Sequence, residues 1–245
     1  MKNTYDIDKH GLYLLCRNDI EDEMMNLLEE YNPELLEIPQ KLDTEDFIEN
    51  FLGLNLEFHT LSKDHNIYGA FVFNDGKIKI YDGGEEKEIL VTRKTVIIDS
   101  AIEDISEKVI RFTEGHEPAH YILQYDLMSS SEHRIHSDKF ENHGEVIAYY
   151  AKSSNTRKRL VTKEDWMEWQ ANYGSACLLM NRSAVLVLLS NLFSIDKESL
   201  AEYCSHLSIF DYLKAKFAIS RSFDVTERSA GYRLDAIIDY LVTGK

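Results

Sequence analysis

Residues 116–120 read His-Glu-Pro-Ala-His, and this spacing constrains the chain more than any other stretch. On an α-helix, residues four apart share a face about one turn along the axis, so His116 and His120 aim imidazole nitrogens at one point. Glu117 is turned by about 100° around the same axis, which sets its carboxylate beside that point, where a general base for hydrolysis belongs. The pattern reads as two zinc ligands with a base between them, and it requires a helix. The flanking sequence supplies one: Val109, Ile110, Phe112 and Thr113 precede the motif, and Tyr121, Ile122 and Leu123 follow it. Ser106 is placed to cap that helix, with Glu107 in its first turn.

A catalytic zinc normally takes three protein ligands and leaves a fourth position to water, so a third donor must come from elsewhere in the chain. The best candidate is Glu168, on a second predicted helix that starts at the N-cap Thr162 and runs to Met180. Glu164, one turn earlier, is its rival, although an acidic residue in a first turn is already explained by the helix dipole. Gly174, Ser175 and Ala176 are small enough to let another helix approach closely. Trp166, Trp169, Tyr173, Cys177 and Met180 are expected to supply buried surface.

Arg111-Phe-Thr-Glu-Gly-His-Glu-Pro-Ala-His120, followed by Trp166-Met-Glu168-Trp-Gln-Ala-Asn172-Tyr-Gly-Ser-Ala-Cys-Leu-Leu-Met180, resembles the ImmA/IrrE family of metallopeptidases. There an RFTxxHExxH helix is followed by an E-x-Q-A-N…LLMP helix. Phe223-Asp-Val-Thr226-Glu-Arg-Ser-Ala230-Gly-Tyr-Arg233-Leu234 is similar to the stretch that often closes these proteins. The resemblance implies a gluzincin-type site, with His116, His120 and Glu168 as ligands of Zn2+ and Glu117 as the base. It also implies a substrate class, the helix-turn-helix transcriptional repressors, held along an edge strand of the sheet.

Three departures from the family pattern stand out. Pro118 and Ala119 occupy positions where a bulky apolar residue and then Gly are usual, and a proline inside a helix removes an amide donor at a cost of about 3 kcal/mol, usually with a kink. Such a kink, lying between the two ligands, would move them apart. Asn181 replaces the usual proline after Leu-Leu-Met, and residues 121–167 make a long excursion before Glu168.

His133, His136 and His143, in a polar stretch after Ser129, Ser130 and Ser131, read as exposed loop histidines rather than a second metal site. Arg157-Lys158-Arg159 reads as the solvated approach to the next helix. With 27 basic against 43 acidic residues the net charge is −16, which disfavours nucleic acid and anionic membranes and favours a basic protein partner. The N-terminus lacks the apolar stretch of a secretory signal, and no run approaches the roughly 18 apolar residues needed to span a bilayer, so a cytoplasmic protein is expected. Cys16, Cys177 and Cys204 are odd in number and widely spaced, which suggests reduced thiols.

Helices are expected over 19–31 and 44–52, and strands over 54–61, 68–73, 77–81 and 95–99. Asn74-Asp75-Gly76 is a hairpin signal between the second and third of these strands. Further helices are expected over 184–193 and 197–207, and helical periodicity continues through 207–245. The fold class is α+β: a zincin-like core in which a small twisted sheet packs on the H-E-x-x-H helix, plus a C-terminal helical segment. Residues 1–205 are read as the peptidase domain and 206–245 as a helical, helix-turn-helix-like appendage, with a packing module that completes the domain as the favoured alternative. The expected function is zinc-dependent endoproteolysis of a DNA-binding repressor. The alternative is a catalytically impaired relative that binds such a repressor without cleaving it, because Pro118 distorts the site.

Overall fold

The structure, a computed structural model, describes residues 5–7, 12–100, 106–129, 148–152 and 160–244, and for 148–152 the backbone alone. His133, His136, His143 and Arg157–Arg159 lie outside the described residues. The chain is mixed α and β, and its internal contacts group it into two units: Met1–Leu15 with Thr44–Ser175, and Cys16–Asp43 with Ala176–Lys245. Residues 206–245 thus fall in one unit with 176–205 and 16–43, and the division does not lie at 205/206.

In the first unit, α3 (Thr44–Asp46) continues into a π turn over Phe47–Phe51, and the chain leaves it at Gly53, whose φ of 63° suits glycine. Five strands follow: β1 (Asn55–His59), β2 (Ile67–Val72), β3 (Gly76–Asp82), β4 (Glu85–Val91) and β5 (Thr95–Asp99). Then come α4 (Glu107–Met128), β6 (Ala148–Lys152) and α5 (Lys163–Leu179), of which the residues to Ser175 belong to this unit. A four-stranded sheet has the order β1-β5-β2-β6, with β1 parallel to β5 and the other pairs antiparallel.

The hairpin expected at Asn74-Asp75-Gly76 does not form, because β2 and β3 belong to different sheets. It is β3 that folds back, onto β4. The turn there is Gly83-Gly84, with φ of 61° and 86°, the doubly positive geometry that matches the twist of a two-residue hairpin. Asp75 instead accepts a hydrogen bond from the Arg93 amide at 2.7 Å, tying the β2–β3 connection to the start of β5.

Both faces of the four-stranded sheet are covered. Phe71, Phe73, Val96 and Ile98 join Ile48, Leu54, Met128 and Met167 in one cluster. Ala70, Val72 and Ile97 pack with Ile78, Ile80 and Val91 of the β3–β4 hairpin in another. A strand covered on both faces has no reason to alternate, which is why β5 is buried at all five positions.

Helix α4 and strand β2 run in step. Phe71 lies 5.9 Å from Tyr121 and Phe73 stacks on Tyr125 at 6.3 Å, ring centre to ring centre. Four helical residues advance about 6.0 Å and two strand residues about 6.6 Å, so the two rows stay matched over this length. One step earlier in the same row, Gly69 faces Thr113 and Glu117. The β2–β6 register shifts there, between Ile67 and Gly69.

The described part of the second unit is helical: α1 (Arg17–Tyr31), α2 (Glu34–Glu37), α6 (Arg182–Phe193), α7 (Leu200–Ser205), α8 (Ile209–Ser222) and α9 (Glu227–Thr243). Asn181 caps α6 by accepting from the Ala184 amide. Ser208 and Thr226 cap α8 and α9 in the same way. The helix expected over 197–207 is shorter, Leu200–Ser205, since Asp196 accepts from the Ser199 amide and holds a turn there. Arg233 of α9 is fully buried, forks onto Glu21 of α1 and donates to the Met180 carbonyl at 2.7 Å. This pairing gives the segment after 206 its place beside α1.

Candidate metal centre

Ser106 caps α4 by accepting from the Lys108 amide, as expected, and the helix runs without a break through Pro118. The two histidines are not moved apart. His116 and His120 share a face with their Nε2 atoms 3.1 Å apart, and both rings are buried. Helix α5 starts at the expected cap, with Thr162 Oγ1 accepting from the Asp165 amide, and the Ser175 hydroxyl donates to the Phe112 carbonyl of α4 at 3.0 Å. The small residues of α5 thus allow the close approach that the sequence suggests.

That approach brings Glu168 to the histidines. Its Oε1 lies 3.5 Å from Nε2 of each, and His116, His120 and Glu168 each offer one ligand atom within 4.8 Å of the others. Among the described residues this is the one such group, and Glu164 is not part of it. Trp166 was expected inside but is 43% exposed; it packs edge-on to Trp169, which stacks on Tyr173, along the outer side of α5.

The group fits a metal ion. Glu168 Oε1 is buried without a hydrogen bond and faces both Nε2 atoms, the arrangement a cation between them would satisfy. Two imidazoles and one carboxylate form a donor set suited to a borderline-soft divalent ion.

Charge is shared unevenly across the site. Burial pushes His116 down, but the Glu168 carboxylate, then Glu117 and the side chain of Asn172, outweigh it and leave the group raised. For His120 burial prevails and the group is lowered. Burial would raise Glu168, yet the attraction of His116 and then of His120 holds it well below the usual carboxylate range. Glu117 goes the other way. Burial, assisted by the Glu168 charge and opposed by His116, pushes its carboxyl up to about 8, and neither of its oxygens has a hydrogen-bond partner.

Gly69 explains how Glu117 fits. A Cβ at residue 69 would stand 2.6 Å from Thr113 Cγ2 and 2.7 Å from Glu117 Oε1, so the carboxylate occupies the space that a side chain on β2 would take. Its neighbours in the row, Phe71 and Phe73, leave no such room.

No family model and no curated protein matches this chain.

Two groups around the site carry no motif of their own. Gly69 sits in an ordinary apolar strand, and Gln124, one turn beyond His120, reads in sequence as one more polar helix residue. In the structure Gln124 Oε1 lies 2.7 Å from His120 Nδ1. The i, i+4 spacing from His120 was the one available hint. Gln170 and Asn172, quoted within the E-x-Q-A-N stretch, also receive partners: Gln170 meets Gln124 at 3.3 Å, and Asn172 donates to the Glu168 carbonyl at 2.8 Å.

Proposed function

We propose that this chain is a zinc-dependent endopeptidase of the ImmA/IrrE type, with a zincin-like core in which His116, His120 and Glu168 hold the ion and Glu117 is the general base. The observation that carries this reading is a buried carboxylate with both oxygens unpartnered, beside a converging group of two imidazoles and a carboxylate. A structural role for Glu117 would leave it hydrogen-bonded.

A zinc ion held by His116, His120 and Glu168 would supply Lewis acidity for the attacking water and the scissile carbonyl, and its charge would favour the ionised form of the neighbouring Glu117. Glu117 takes the proton of the attacking water and delivers it to the leaving amine. Its burial keeps bulk water from competing for that proton. Glu168 and the histidine pair fix the reaction centre on two helices rather than on loops, which limits drift of the donors. Strand β6 is, among the described residues, the outermost strand next to β2, and it offers a sheet edge against which an extended peptide could lie.

The resemblance favours a helix-turn-helix repressor as substrate, and the net charge of −16 favours approach of a basic DNA-binding protein over nucleic acid or an anionic membrane. No single helix among the described residues is long and apolar enough to cross a membrane. The alternative of a non-cleaving binder rests on Pro118 distorting the site, and the 3.1 Å separation of the two Nε2 atoms counts against it. The test is metal content of tag-free protein by inductively coupled plasma mass spectrometry, followed by incubation with candidate repressors. About one zinc per chain, with cleavage that is lost in Glu117→Gln, supports the proposal. Absence of metal after zinc is supplied overturns it, and metal with binding but no cleavage selects the alternative.

A further inference from the structure

We infer that Gln124 is a positioning residue that fixes the tautomer of His120, presenting its Nε2 lone pair to the metal, and that Gln170 fixes Gln124. This rests on the metal-site reading above but not on peptidase activity.

The argument is one of donors and acceptors. The Met167 carbonyl can only accept, and one end of the Gln124 amide lies 3.0 Å from it, so that end must be the NH2 group. The other end is then the amide oxygen, and it lies 2.7 Å from His120 Nδ1. An oxygen that can only accept requires a proton on Nδ1. In neutral imidazole this leaves Nε2 bare, and Nε2 is the atom that faces His116 Nε2 at 3.1 Å and Glu168 Oε1 at 3.5 Å.

Gln124 could escape this assignment by flipping, and Gln170 prevents it by the same logic. Its NH2 group donates to the Tyr13 carbonyl at 3.0 Å, so its oxygen faces Gln124 Nε2 at 3.3 Å. Flipping Gln124 would set oxygen against both that oxygen and the Met167 carbonyl. All three side chains are buried, so water cannot relieve such a clash. The chain Tyr13 carbonyl, Gln170, Gln124, His120 thus passes one orientation inward from the backbone to the ligand. An amide here does what a carboxylate or carbonyl does behind histidine ligands elsewhere, without adding a charge to the core.

The test begins with metal-free wild-type protein labelled with 15N-histidine, in which two-bond 15N–1H correlations report which ring nitrogen of His120 carries the proton. Nδ1–H is expected, and Nε2–H overturns the inference. Zinc affinity, measured by competition with a chromophoric chelator, is expected to fall about 10–100-fold in Gln124→Met, which keeps the shape and removes the acceptor. The same variant should release His120 to the other tautomer. Unchanged affinity and tautomer in Gln124→Met overturn the inference. If wild-type protein takes up no zinc, the metal reading fails, and the wild-type tautomer still decides the role of Gln124. The same spectrum decides it if Gln124→Met does not fold.

Discussion

A carboxylate held in the core with no hydrogen bond is a destabilising group that a fold keeps only where something else requires it. Glu117 is such a group, and its protonation gives a direct measure of that cost. Its folded pKa of about 8 stands above the ordinary value of 4.5, so the metal-free folded chain holds this proton more tightly than the unfolded chain. The contribution is therefore most favourable below the unfolded value and is lost as pH rises through the window up to about 8. Chelator-treated wild type and Glu117→Gln, compared by denaturant unfolding at about pH 5.5 and about pH 8.5, should show a gap that moves in favour of the variant by a few kcal/mol at the higher pH. A pH-independent gap would remove the buried charge from the account. Gly69→Ala tests the opposing wall. The added methyl meets Thr113 and Glu117 at under 3 Å, so we expect a loss of about 1–3 kcal/mol of stability and, on the proposed peptidase reading, a loss of hydrolysis with zinc content unchanged. His116, Glu117 and His120 were legible in the sequence because a helix repeats at short range and their spacing states the geometry. Gly69 and Gln124 were not, because the meaning of Gly69 depends on helix α4 and that of Gln124 on helix α5, each distant in sequence.

Helix α4 carries proline at its centre and still keeps His116 and His120 on one face, so the penalty of Pro118 is taken up without separating the imidazoles. Pro118→Ala restores an amide that can bond to the Glu114 carbonyl. The free energy of unfolding measured in denaturant should rise by about 1–3 kcal/mol, with zinc affinity within a few-fold of wild type. A large fall in affinity would show that the ring itself shapes the site. At this scale the sequence reads well where periodicity or capping decides and less well where pairing does. The helix starts at Ser106 and Thr162 follow from local chemistry. The partner of β3 does not, because both Asn74-Asp75-Gly76 and Asp82-Gly83-Gly84 are turn signals. The winner is set by Ala70, Val72 and Ile97, which need the β3–β4 hairpin to cover them. Trp166 was misplaced for a related reason: helical spacing says which residues share a face but not which face is covered.

Across the whole chain the three thiols stand in different surroundings. Cys16 is exposed, whereas Cys177 and Cys204 are buried and burial raises both thiols. Only the thiolate reacts, so native protein should titrate with one fast equivalent of Ellman's reagent and unfolded protein with three. A second fast thiol in native protein would contradict the burial of α7 or of the last turns of α5. The division into two units was not legible, since each draws on segments far apart in sequence and the bond between Glu21 and Arg233 has no local signature. The hydrogen bond from Gln170 to the Tyr13 carbonyl spans 157 residues. Contacts of such separation close late, after the entropy of a long loop has been overcome. Local structure around His116 and His120 can form early in α4, but the third donor and the backbone anchor behind Gln124 arrive only with the completed unit. On the proposed metal-site reading, capture of an ion is therefore a late step of maturation, and a newly made chain would pass through a stage in which it has its motif but no tight hold on an ion.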